Sequence, residues 1–211
     1  MKAEPLEFPR GVRFPRKDET PARFDKEFAR IAKARITTGF VEKKSEQSGY
    51  STVIEANIHA SRVWKVFRDL VNAIIPEAAA PIVGIKDEEP VFGPYTTREA
   101  ALAVLEPYRE PLQHDGFLEF GIIFQLRGHT EEVFVTNVKF IRIWTNLPDK
   151  IVAVLTRHGI PEVQDLQFID EYPRVSEALP FDGQTSGWFP VLEALKSRFQ
   201  ALPGPPPRPD A

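Results

Sequence analysis

From Leu118 to Leu126 the chain alternates without a break, with Leu118, Phe120, Ile122, Phe124 and Leu126 on one side and Glu119, Gly121, Ile123 and Gln125 on the other. A period of two means an extended strand with one apolar face, and a slip of one residue would turn that whole face to water. Asp115-Gly116 marks a turn before it, and Gly128-His129-Thr130 a turn after it. Residues 132–145 then read as a second long strand, so the two form a β-hairpin long enough to be the spine of an antiparallel sheet. On this reading Asn137, Lys139 and Ile141 share a face with Val133, Val135 and Ile143, while Arg142 and Trp144 lie with Phe134, Val138 and Phe140. Both faces are partly apolar, which predicts some cover for each.

Around this hairpin the apolar spacing switches between two and 3.6. Thr20 is placed to cap a first helix with Pro21 at its first position, putting Phe24, Phe28 and Ile31 on one face. A polar break at residues 45–49 leads into a strand on which Tyr50, Thr52, Ile54, Ala56 and Ile58 share a side. Ser61 then caps an amphipathic helix through Val63, Trp64, Phe67, Leu70, Val71 and Ile74, which Pro76 closes. A short strand at residues 81–86 precedes a polar loop. Thr96 with Glu99 forms a capping box for a helix carrying Ala100, Leu102, Val104 and Leu105, to be broken or kinked at Pro107 and Pro111. After the hairpin, Asn146 and Pro148 open a helix that ends at Gly159, with Pro161 beyond it. Residues 166–169 read as a last short strand, and Pro190 opens a final helix through Val191, Leu192, Leu195 and Phe199.

This order predicts an α+β fold, with an antiparallel-dominated sheet built on a central hairpin (about 117–127 and 132–145) and helices packed mainly on one face. The expected organisation is an extended N-terminal arm (1–20), one domain (21–202) and a Pro-rich tail (203–211). The arm repeats Phe-Pro-Arg at residues 8–10 and 14–16, so two Phe side chains are free to dock on this chain or on a partner. The tail has the composition of polyproline II or disordered chain.

Several chemistries are excluded by what is missing. With no Cys, there are no disulfides, thiolate nucleophiles, thiolate zinc sites or iron–sulfur clusters. The four histidines, His59, His114, His129 and His158, never fall four apart. The nearest approach to a metal-ligand group is His129 with Glu131 and Glu132, which reads more simply as a charged turn. No phosphate-binding glycine loop and no G-x-S-x-G elbow occurs. Gln184-Thr185-Ser186-Gly187 lacks the first glycine of that elbow and reads as coil before a helix. The acids and lysines at Glu42, Lys43 and Lys44, or at Glu131, Glu132 and Lys139, do not assemble a nuclease constellation. No cofactor is expected. No apolar run is long enough to cross a membrane, and the polar, Pro-rich start points to a cytoplasmic chain.

Charge is uneven along the chain. Residues 1–44 hold 12 Lys and Arg against 7 Asp and Glu, and the remainder 15 against 23. An acidic body without a catalytic motif predicts a non-catalytic binding module for a basic protein, of the type of a bacterial toxin-neutralising (immunity) protein. Acidic patches speed the approach of basic partners. The expected contact residues are Asp87, Glu88 and Glu89, the Asp165, Asp170 and Glu171 region, and Arg142 with Trp144, since Arg and Trp are enriched at interface hot spots. A second expectation is a small hydrolase or transferase with acid–base residues drawn from His114, Asp115, Asp170, Glu171 and Tyr172. A third, weaker one is nucleic-acid contact through Arg10, Arg13, Arg16 and Lys17.

Overall fold

The alternating stretch forms a strand in the middle of an eight-stranded sheet. The computed structural model describes residues 4–21, 23–181 and 187–204. In chain order the elements are β1 (Val12–Arg13), α1 (Asp25–Ile31), β2 (Gly39–Lys44), β3 (Thr52–Asn57), α2 (Val63–Ile74), β4 (Ala78–Ile85), β5 (Val91–Phe92), β6 (Thr96–Thr97) and α3 (Arg98–Leu105). They continue with α4 (Arg109–His114), β7 (Leu118–Leu126), β8 (His129–Val135), β9 (Ile141–Thr145), α5 (Pro148–Arg157), β10 (Val175–Ser176) and α6 (Trp188–Gln200). The main sheet runs β2-β3-β9-β8-β7-β4-β5 through antiparallel pairs, with β6 added on β4, while β1 and β10 form a separate two-stranded pair. This is the α+β architecture that the order of elements predicts.

One face of the sheet carries the main core. Phe120, Ile122, Val133, Val135, Ile141, Ile143, Ile54, Ala56 and Val83 are buried there against α2, α3, α5 and α6. At its centre Trp64 and Phe67 of α2 meet Phe120 of β7, with ring centroids 5.8 and 4.9 Å from it. Trp64 Nε1 donates to Glu106, which satisfies the one polar atom the ring brings inside.

A second, smaller core lies under the N-terminal arm. Val12, Ile36, Val138, Phe140, Leu166, Phe168 and Ile169 are buried together, with Phe8, Phe14, Val41 and Tyr172 packed on them. Phe8 and Phe14 meet edge to face at 5.8 Å, so both repeated Phe-Pro-Arg units dock on this chain. The arm's backbone passes so close to residue 116 that a Cβ on Gly116 would collide with the Gly11 carbonyl. The Gly11 N–H donates to the His114 carbonyl at 2.8 Å, and Gly11 in turn accepts from Glu177 at 2.8 Å.

The structure departs from the sequence expectations at several joints. Residues 132–145 are not one strand. β8 and β9 are separate strands joined by residues 136–140, where Lys139 takes a left-handed φ of 69°. The five-residue connection is odd, so the alternation resumes on the same faces and conceals the turn. Asn137 and Lys139 therefore sit in that turn rather than on a sheet face.

Other differences concern helix starts and short strands. The first helix begins at Asp25, and Thr20 instead closes a short 3-10 turn over residues 17–19 by donating to the Lys17 carbonyl. Ser61 lies within a 3-10 turn ahead of α2, and its hydroxyl donates to Glu7. The cap of α3 is Thr97, whose Oγ1 accepts from the Ala100 N–H at 3.1 Å, one residue later than Thr96. Thr96 is in β6, and Glu99 bonds the Arg98 guanidinium instead of closing a box. Pro107 and Pro111 do not stop the chain from coiling, because each occupies a first-turn position of a new helical segment where no N–H is required. Residues 166–169 form no strand; Ile169–Glu171 is a 3-10 turn, and β10 follows it. The edge strand β2 has no counterpart in the sequence expectations. Gln184 to Ser186 and the tail from residue 205 lie outside the described residues.

Candidate functional site

The register builds the site on the sheet face away from the helices. Reading across the strands, one row on that face is Phe92, Ile82, Gly121, Phe134, Arg142, Glu55 and Val41. The next row is Ala80, Ile123, Glu132, Trp144, Val53 and Lys43. On the other side of the first row, Gly84 stands opposite Glu119. The second core covers one end of this face through Val41, Val138 and Phe140. Between that core and the β4–β5 turn a cleft of about 340 Å³ remains, lined by Pro90, Glu119, Glu132, Phe134, Thr136, Arg142 and Trp144. Phe92, at the end of the long row, is 56% exposed.

Each lining residue has a local cause. Gly121 has no side chain, and a Cβ there would meet Phe134 Cδ2 at 2.9 Å, so the Phe134 ring leans across β7. Arg142 is held by Glu55, with Nε 2.9 Å from Oε1, and lies 5.8 Å from the centre of the Trp144 ring. Lys43 donates to the other Glu55 oxygen at 2.7 Å. Burial works to raise the Glu55 carboxyl, but these two cations outweigh it and hold it below the ordinary carboxylate range. Arg142 therefore enters the cleft already neutralised.

The two other carboxyls are in the opposite state. Burial among Ile123, Trp144 and their neighbours pushes the Glu132 carboxyl up to about 7, and among the described residues nothing donates to it. Burial also raises Glu119, against the opposing Asn137 N–H, which reaches its Oε1 at 3.1 Å, and against the nearby Lys139. Asp87 adds to that rise from the β4–β5 turn, where Asp87, Glu88 and Glu89 are all exposed. The three turn acids thus stand at the rim of the cleft next to Pro90.

Asp170 and Glu171 are exposed on their 3-10 turn, Asp165 is exposed in the loop before it, and the Asp170 carboxyl is close enough to Arg142 to feel its charge. The residues expected for acid–base work are otherwise engaged. Asp115 is fully buried, with Oδ1 accepting from the Phe117 N–H and Oδ2 from the Leu179 N–H, both at 2.8 Å. His114 faces Gln113 at 3.1 Å, and burial lowers its pKa. Tyr172 donates to Gln167 and belongs to the second core. No hydrogen bond joins His114 or Asp115 to Asp170, Glu171 or Tyr172 among the described residues. In the arm, Arg13 is clamped between Glu19 and Glu177, and Arg10 is paired with Glu110, while Arg16 and Lys17 are exposed.

His129 lies 3.1 Å from Glu131, but Glu131 is buried and turned to the helix side of the sheet, where it accepts from Thr145 and the Asn146 N–H. No metal-binding cluster is present among the described residues, and no helix there is long and apolar enough to cross a membrane. The sequence alone singles out Arg142 and Trp144 as contact residues and places Phe134 on their face, but it gives Phe134 and Glu119 no role, and it weighs Glu132 only in a charged turn and in a nuclease constellation that does not assemble. The usable signal was parity, since all of them alternate with core residues on their own strands. Comparison with protein-family models, with curated proteins and with solved structures finds no match to this chain.

Proposed function

We propose that the protein is a non-catalytic binding module that receives a basic protein partner on the open face of its sheet. The observation that carries this reading is the uncovered row of Phe92, Phe134 and Arg142 beside Trp144, with Glu119 and Glu132 in the same cleft and neither carboxyl in a side-chain ion pair among the described residues. Aromatic side chains with an arginine supply contact area, and surplus carboxyls select for positive charge. Asp87, Glu88 and Glu89 at the rim extend the same sign outward and would steer a basic partner in. A bacterial toxin-neutralising role is the finer form of this reading, since such a protein needs only to occupy a basic surface.

The test is capture from source cells at moderate salt, followed by association rates measured across a salt series. A stoichiometric basic partner is expected. Its capture should be lost with Trp144→Ala, and its association should slow with Lys in place of Asp87, Glu88 and Glu89. A partner held equally by wild type and both variants would remove this face from the reading, and a partner-free monomer would remove the reading itself.

A further inference from the structure

We propose that the cleft recognises an extended segment of the partner carrying Lys or Arg at positions i and i+4 and an apolar side chain at i+2. The inference rests on the binding reading above and specifies what it recognises. Its basis is the spacing of the two carboxyls along the sheet. Glu119 lies one step from the Gly121–Phe134 row, and Glu132 lies one step beyond that row on the other side. Two steps along a sheet correspond to four residues, about 13 Å. That separation is too long for one proton-transfer pair, since an acid and a base must reach the same reacting group. It matches the distance between alternate-but-one side chains on one face of an extended chain, which repeats with the same rise.

The space between the carboxyls suits the middle position. Phe134 lies there over Gly121, offering an apolar ring, and its row neighbour Arg142 is paired with Glu55, which weakens its repulsion of a cation. At one end Trp144 stands directly opposite Glu132, so a cation bonded to that carboxyl would also meet an indole. At the other end Gly84 and Pro90 leave Glu119 Oε2 without a donor among the described residues. Each carboxyl is thus buried enough to gain from a cation and open enough to receive one.

The probes are capped peptides TKTVTKT, TKTVKTT and TETVTET, titrated into the full chain and followed by backbone amide NMR shifts. The first should shift amides of β7, β8 and β9. Moving the second lysine to i+3 turns it away from the sheet and should weaken binding about tenfold, the value of one lost charge-assisted pair. Glu132→Gln and Glu119→Gln should each weaken the first peptide by a similar factor, and the acidic peptide should not bind. Affinity should also fall as pH drops from 8 to 6 in wild type, where Glu132 takes up its proton, and fall less steeply in Glu132→Gln, where the raised Glu119 and the lowered Lys139 beside it remain. Equal binding of the two lysine spacings, or no loss in either glutamine variant, overturns the proposal. If Trp144→Ala abolishes partner capture while both glutamine variants leave it intact, the spacing fails and the binding reading stands. No partner and no peptide binding overturns both.

Discussion

Glu132 offers a direct test, because its effect on stability has a sign that no ordinary surface carboxylate shares. Its pKa is raised from 4.5 to about 7 by burial without a partner, so the folded chain holds a proton that the unfolded chain has already released. Its contribution is therefore fully present below about pH 4.5, declines as pH rises, and is gone above about pH 7. A rise of that size corresponds to about 3 kcal/mol, and water at the cleft mouth reduces it to about 2 kcal/mol. Glu132→Gln keeps the shape and removes the titration. The variant should therefore exceed wild type by a little under about 1 kcal/mol at pH 5, apart from the small effect of the amide itself, and by about 2 kcal/mol at pH 8. Urea unfolding of both chains at pH 5, 6, 7 and 8 gives this difference directly, and every other titrating group cancels between them. A difference that stays constant from pH 5 to 8, or that grows toward acid, refutes the reasoning and means that Glu132 is solvated or paired. A carboxyl that folding would be better without is also the kind of residue expected where binding takes precedence over stability.

Three further outcomes follow from the packing. Burial pushes Lys139 down to about 7 against the attraction of Asp115 and Glu119, so its stability penalty is full below pH 7 and fades as pH rises toward 10; wild type should gain on Lys139→Met over that range in urea unfolding. Thr97→Ala should cost about 1 kcal/mol by removing the α3 cap, whereas Thr96→Val should be neutral or stabilising because the buried Thr96 Oγ1 has no hydrogen-bond partner among the described residues; the reverse order would return the cap to Thr96. Gly116→Ala should lift the arm from residues 114–116 and expose the second core, read as faster amide exchange at Gly11 and Val12 with β7 and β8 still protected.

Alternation and helical spacing were local properties, and they were legible. The strand at 118–126, the helix face from Val63 to Ile74 and the α+β class all follow from where apolar residues fall on one chain segment, because burying one face requires that period whatever the neighbours do. The absence of Cys and of phosphate-binding glycines was equally readable, since those chemistries need particular atoms. Only the tertiary structure decided the rest. The β8–β9 turn kept parity and so left no break in the pattern. The choice of Thr97 over Thr96 as cap depended on β6 pairing with β4. Likewise, β2 became a strand because β3 offered it an edge. The cleft is the clearest case. Glu119, Glu132, Phe134, Arg142 and Trp144 come from three strands, and their separation, burial and pairing with Glu55 are set by register between segments far apart in the chain. Which residue lies on a face is written in its own strand; which residues meet across that face depends on how the strands align.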